Sequence, residues 1–161
     1  MSITEAVISQ VPFIVRRRVK WGDCDPAGVV YTPVFGEYVI STAELFYEQL
    51  LGMSPQHAKQ FHGFGTPTRA LAFDFRGSLR PDDEFDTEVQ VTDIRNRSFV
   101  LTLTARTQAG EIVFVATHTP VCVARDERKG IVIPPVFHDS LLTYQAQHLQ
   151  VLKGTASEVL S

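Results

Sequence analysis

Between Trp21 and Tyr31 the chain reads Trp21-Gly22-Asp23-Cys24-Asp25-Pro26-Ala27-Gly28-Val29-Val30-Tyr31, followed by Thr32-Pro33 and a long, mostly apolar segment. Asp25 is the natural focus. A carboxylate beside the N-terminus of a buried helix can act as base or nucleophile, while the free N–H groups there polarise a carbonyl and hold its developing negative charge. The same two acids and two glycines also suit an ordinary loop whose carboxylates bond the backbone, and spacing alone leaves both readings open. Cys24, flanked by acids that disfavour its thiolate, reads as loop filler rather than as a nucleophile.

Elements on either side must position this run. Phe13, Val15, Val19 and Trp21 alternate with Arg16, Arg18 and Lys20, predicting a first strand over Phe13–Trp21. Thr32, as a capping residue, and Pro33 open a helix that runs to Leu51 and ends at Gly52. Its polar residues Glu37, Ser41, Glu44 and Glu48 form one narrow stripe, so the helix is mostly buried. A short helix is expected near Pro55–Gln60. Four strands follow, Thr68–Gly77, Glu84–Ile94, Ser98–Thr107 and Glu111–Ala124, joined by short polar turns that make neighbours antiparallel. Phe85, Thr87, Val89 and Val91, with Phe99, Leu101, Leu103 and Ala105, predict one dry face. A weakly amphipathic tail helix is expected over Asp139–Lys153, stopped by Gly154.

The 161 residues suit one domain, 1–161, with a core over about 13–133 and a C-terminal extension over about 134–161. A chain of this size buries roughly 70% of its unfolded surface without staples. The net charge of −3 does not favour nucleic acid or an anionic membrane, so an anionic ligand needs a local basic patch. Nothing resembles an export signal or a membrane span, which predicts a cytoplasmic protein. Cys24 and Cys122, 98 positions apart, and five scattered His residues predict reduced thiols and no metal site.

The run Gly22 to Tyr31 before a long helix resembles the signature of 4-hydroxybenzoyl-CoA-type thioesterases of the hot-dog fold. Gly65-Thr66-Pro67 and Arg95-Asn96-Arg97-Ser98-Phe99-Val100 resemble later segments of that family, and the likeness spans about Phe13 to Ala124. It implies an α+β fold in which a five-stranded or larger antiparallel sheet wraps one long buried helix, with the tail helix added. It also implies hydrolysis of an acyl-CoA thioester with no cofactor beyond the substrate's own coenzyme A, Asp25 as the catalytic carboxylate and the Thr32 N–H as the oxyanion donor. Tyr31 and Thr66 fall at substrate-binding positions. Arg95, Arg97 and Ser98 match the nucleotide-contacting hairpin, to which Arg128 and Lys129 are possible additions, and forked guanidinium groups suit phosphate. A homodimer or homotetramer with sites between protomers is implied as well.

Two departures shape the expectation. Ile40 stands where relatives acting on the 4-hydroxybenzoyl group carry an acid, so an acyl group apolar at that point fits better. Thr32 stands where short-chain relatives have His. A hot-dog hydratase would need His near Val30, and only His57 or His62 could come round in space; a non-catalytic acyl-CoA sensor would keep Arg95 and Arg97 yet have no use for Asp25. Glu37 is the alternative carboxylate. Trp21, Tyr31, Phe61 and Phe64 suit either an acyl pocket or the core.

Overall fold

The computed structural model describes residues 3–160. An antiparallel sheet is built from β1 (Glu5–Gln10), β2 (Phe13–Arg18), β4 (Thr68–Phe75), β5 (Glu84–Ile94), β6 (Phe99–Thr107) and β7 (Ile112–Pro120) in the order β1-β2-β5-β6-β7-β4. Two short strands, β3 (Phe64–Gly65) and β8 (Val123–Ala124), pair separately. The helices are α1 (Thr32–Leu51), α2 (Pro55–His62) and α3 (Pro135–Leu160).

The alternation read from the sequence becomes the sheet's inner face. Phe85, Thr87, Val89 and Val91 of β5 are buried, as are Phe99, Leu101, Leu103 and Ala105 of β6. Phe35, Tyr38, Val39, Thr42, Ala43 and Phe46 of α1 pack on this face. Ring contacts fix the seating of the helix, with Phe13–Phe46 at 5.3 Å, Tyr38–Phe85 at 5.2 Å and Phe35–Phe114 at 5.6 Å. Glu37, Glu44 and Glu48 face outward, the polar stripe that periodicity predicts. The result is one long helix wrapped by a six-stranded antiparallel sheet, the α+β hot-dog arrangement implied by the resemblance.

Several element bounds differ from expectation. β1 lies outside the predicted strands; none of its residues is buried and it pairs with β2 at the sheet edge, so it lacks the alternation that marks a half-buried strand. The expected strand Glu111–Ala124 is split, because beyond Pro120 the chain leaves β7 and pairs with β3 instead. The tail helix begins at Pro135 and continues through Gly154, since its anchoring residues Phe137, Leu141, Tyr144 and His148 carry the helical period from its first turn. Among the described residues no helix is long and apolar enough to cross a membrane.

Candidate functional site

Asp25 sits in a miniature hairpin. Cys24 and Val30 form an antiparallel bridge, and between them the Asp25 N–H donates to Val29 O (3.1 Å) and the Gly28 N–H to Asp25 O (2.9 Å). Gly28, at φ +81°, supplies the left-handed backbone that closes the turn. The Ala27 N–H donates to Asp25 Oδ1 at 2.8 Å, and Asp25 Oδ2 has no hydrogen-bond donor among the described residues. The half-buried Asp25 carboxylate is therefore held by one oxygen with the other open.

Asp23 is the opposite case. It is buried, and its Oδ2 accepts from the Lys20 N–H (3.0 Å) and from the Tyr38 hydroxyl (2.8 Å). Its carbonyl accepts from the Tyr31 N–H at 3.0 Å. Asp23 thus joins the single 3₁₀ turn Trp21–Asp23, the Asp25 hairpin and α1. Sequence singles out Asp25 and gives Asp23 no role beyond that of a loop carboxylate; the signal for Asp23 is Tyr38, whose inward position on the helix period puts a buried hydroxyl under the loop. Cys24 behaves as expected, since burial and then the neighbouring Asp23 and Asp25 raise its thiol pKa.

Thr32 is the first residue of α1, but Tyr31 occupies the cap position and no side chain caps the helix. Thr32 therefore does not act as the predicted cap. Its N–H has no acceptor among the described residues, and Pro33 has none to offer. α1 begins two residues after the Cys24–Val30 bridge that closes the Asp25 hairpin, and an uncapped helix start can stabilise negative charge on a carbonyl that a nearby carboxylate attacks or hydrates. Tyr31 is 53% exposed at the same place. Glu37, exposed, and Ile40 line a groove of about 500 Å³ along α1 with Leu71 of the edge strand β4.

The remaining nominated residues lie elsewhere. Arg95, Arg97 and Ser98 occupy the β5–β6 turn, where Arg95 and Arg97 are exposed and Ser98 is buried, bridged to Val121 with its carbonyl accepting the Arg95 N–H (2.8 Å). Arg95 pairs with Asp93 at 2.8 Å, whereas Arg97 has no ion pair among the described residues. The Arg97 carbonyl accepts the Cys122 N–H and its side chain runs beside Gly130, so the turn carrying Arg128 and Lys129 is a neighbour. Thr66 lines a separate cavity with Tyr47. The ten steps of β5 separate its two ends by about 33 Å. Asp25 lies toward the Glu84 end, tied there by the Val30 N–H to Leu79 O and the Val19 N–H to Asp83 O bonds, while Arg95 and Arg97 follow the Ile94 end.

Trp21 and Phe61 are 85% and 70% exposed, so neither packs in the core, while Phe64 is buried. His118 of β7 is buried and bonded to Thr68 Oγ1 at 2.9 Å, a structural role. His57 and His62 lie on α2, and among the described residues no three His, Cys, Asp or Glu side chains gather as a ligand set.

No curated protein matches the chain in sequence. Solved structures similar to it include the 1,4-dihydroxy-2-naphthoyl-CoA thioesterase of Synechocystis, at TM-score 0.70 and 23% identity over 81% of this chain and 95% of that one. The 4-hydroxybenzoyl-CoA thioesterase of Pseudomonas sp. strain CBS-3 is similar at TM-score 0.70 and 25% identity, over 79% and 96%. A hypothetical protein of Staphylococcus aureus in complex with CoA superposes at TM-score 0.77 and 12% identity, over 91% and 89%. The family described as the thioesterase-like superfamily matches residues 19–141, well over half of the sequence, and this chain belongs to it.

Proposed function

We propose that the protein hydrolyses an acyl-CoA thioester with an aromatic or related acyl group, giving the free acid and CoA, with Asp25 as the reacting carboxylate. The observation that carries this reading is the open Oδ2 of Asp25 in a hairpin that leads directly into an uncapped helix start, whose Thr32 N–H is unpaired among the described residues. Family membership and the aroyl-CoA thioesterases among its structural relatives support the same chemistry. In one route Asp25 Oδ2 attacks the thioester carbon, the C–S bond breaks, the CoA thiolate takes a proton from solvent, and water then cleaves the mixed anhydride to release the acid. In the other, Asp25 takes a proton from water, the hydroxide adds to the carbonyl, and the thiolate leaves with that proton. Either route needs an ionised Asp25, and water is the only co-reactant.

The reading includes a site shared between two copies of the chain. On one copy Asp25 and the Arg95–Arg97 turn lie at opposite ends of the sheet, too far apart to grip one substrate. β4 is an edge strand, exposed along most of its length, with Thr68 at the Arg95 end and Phe75 at the Asp25 end. Antiparallel pairing of β4 with its copy would bring the Thr66 end of one protomer to the Asp25 end of the other and cover the Ile40–Leu71 groove. Arg95 and Arg97 would then seat CoA phosphates. Buried Ser98 acts in this scheme by shaping the turn. Two free thiols suit a cytoplasmic enzyme.

The test is thiol release from a panel of aroyl-, alkanoyl- and enoyl-CoA thioesters, with mass measured in solution. Turnover that falls at least a hundredfold in both Asp25→Asn and Asp25→Ala supports the proposal. Tight acyl-CoA binding without thiol release by the wild type overturns it in favour of a sensor. Loss of enoyl absorbance without thiol release marks a hydratase, and activity surviving both substitutions moves the carboxylate to Glu37.

A further inference from the structure

His118 of β7 is 2% exposed. Its Nε2 lies 2.9 Å from the Thr68 hydroxyl at the start of β4, and its Nδ1 has no hydrogen-bond partner among the described residues. Burial lowers the imidazole pKa to about 4, so near neutral pH the ring is uncharged and carries a single N–H. Two seats are open to that proton. On Nδ1 it is a buried donor with no acceptor; on Nε2 it is donated to Thr68, and only a lone pair goes unmatched. A buried N–H without an acceptor is the rarer defect in folded proteins, so Nε2 holds the proton.

The direction of that bond fixes the state of Thr68. Its oxygen accepts from His118, so its own proton points elsewhere, and the hydroxyl makes no other hydrogen bond among the described residues. Thr68 is exposed, on a strand at the edge of the sheet. It is an unused donor whose oxygen is held by a buried ring. α1 shows the complementary shortage. Of its first three positions only Thr32 has a free N–H among the described residues, because Pro33 has none and the Val34 N–H donates to Tyr31 O at 2.9 Å. A carbonyl oxygen has two lone pairs and accepts more strongly as negative charge develops on it, so Thr32 alone leaves one of them unmatched.

We infer that the Thr68 hydroxyl of one copy is the second oxyanion donor for a thioester bound at Asp25 of the other copy, with His118 as the positioning residue that aims it. The inference rests on the proposed function for its substrate and for the pairing of β4 with its copy. On its own copy Thr68 is seven steps along β4 from Phe75, about 24 Å from the Asp25 end, so it does not serve the Asp25 of its own chain. The antiparallel pairing carries it to the Asp25 end of the second copy, where Thr32 waits for a partner donor. Thr68 keeps its proton throughout and only strengthens a hydrogen bond as the carbonyl oxygen gains charge, so the step needs no further reactant.

Thr68→Val keeps the side chain's shape and removes the donor, and Thr68→Ser returns it. In thiol release from an aroyl-CoA, Thr68→Val lowers kcat about a hundredfold with KM within about twofold, and Thr68→Ser recovers to within about tenfold of wild type. Co-expression of Asp25→Asn with Thr68→Val chains tests the crossing between copies. A mixed dimer holds one intact site only if Thr68 serves the other copy, so the mixture runs at about a quarter of the wild-type rate although both parents are nearly inactive.

The C=O stretching frequency of bound benzoyl-CoA reads the donor without turnover, and it rises in Thr68→Val. If the wild type binds acyl-CoA and releases no thiol, the hydrolase reading falls and this frequency alone decides whether Thr68 touches the carbonyl; a wild type that binds no acyl-CoA overturns both. Nitrogen-15 NMR of His118 in the unaltered chain needs no variant to fold, and it shows the proton on Nε2. The inference is overturned if the proton sits on Nδ1, which turns the Thr68 hydroxyl inward as the donor to His118. It is equally overturned if Thr68→Val leaves kcat or the carbonyl frequency unchanged, if Thr68→Ser is as slow as Thr68→Val, or if the mixed dimers recover nothing.

Discussion

The Tyr38 hydroxyl donates a 2.8 Å hydrogen bond to Asp23 Oδ2, fastening the loop that carries Asp25 to the buried face of α1. The Arg17 guanidinium lies over the Tyr38 ring at 5.1 Å and pairs with Glu5, whose carboxylate also accepts from Ser41. The loop is thus anchored through the helix to the first two strands, and Asp23 orients a carboxylate that it does not touch.

Tyr38→Phe keeps the ring and removes the donor, leaving buried Asp23 Oδ2 with the Lys20 N–H alone. The expected loss of stability is about 1–3 kcal/mol, the cost of an unpaired buried acceptor. For thioester hydrolysis kcat falls about tenfold while KM stays within twofold, because the loop is misplaced and the binding surface is not. Chemical denaturation and steady-state kinetics on the same preparation check both, and a fall in Tm with kcat intact would make the bond purely structural.

Arg95→Ala and Arg97→Ala separate binding from folding. The Arg95–Asp93 pair is about half exposed on both sides, so breaking it changes stability by less than about 1 kcal/mol. Asp93 already offsets the charge of Arg95, whereas Arg97 is unpaired, so Arg97→Ala raises the KM for an acyl-CoA more than Arg95→Ala does. An increase of about tenfold for Arg97→Ala, shrinking as salt screens the phosphates, is the expected outcome. Equal KM values for wild type and both variants at low salt would move the phosphate seat elsewhere.

The sheet and its helix were legible because their residues repeat. Phe85 to Val91 and Phe99 to Ala105 alternate, and α1 keeps one polar stripe, so periodicity alone separates inside from outside. β1 was not, since an exposed edge strand has no dry face to betray it. The tail helix was underestimated for another reason: Phe137 and Leu141 lie in its first two turns, but the Pro134-Pro135 pair masks the start and Gly154 imitates a stop. At the site, motif resemblance singled out Asp25, Thr32 and the arginines. The difference between Asp23 and Asp25 depends on where Tyr38 points, and the Tyr47 cavity depends on α2 and α3 closing over α1, contacts between segments distant in sequence.

His118 makes an acid limb of stability. Burial lowers its pKa from 6.5 to about 4, so the folded state holds it neutral where the unfolded chain would protonate it. A depressed folded pKa stabilises above the unfolded value, and that contribution is lost as pH falls from about 6.5 to about 4. Its size is on the order of 3 kcal/mol at most. Denaturation midpoints measured at pH 7, 5.5 and 4.5 fall in wild type, and His118→Gln, which cannot ionise, flattens part of that decline while losing some stability at pH 7. Parallel pH profiles for the two proteins would show that other groups set the acid limb.

Tyr144 is the staple between α3 and the sheet. Its hydroxyl accepts from the Phe13 N–H (2.9 Å) and donates to the Val89 carbonyl, two partners that face each other across β2 and β5. Its ring meets Phe46 of α1 at 4.8 Å, so one side chain touches helix, tail and two strands. Tyr144→Phe preserves that packing and strips a buried N–H and C=O of their shared partner, for an expected loss of about 2–4 kcal/mol from two bonds. Amide exchange at Phe13 rises with it, whereas exchange in β6 follows only the global change. If α3 were merely appended to the domain, the variant would unfold at the wild-type midpoint, and removal of residues 135–160 would be tolerated; the buried Phe137, Leu141, Tyr144 and His148 predict instead that this truncation leaves an insoluble chain.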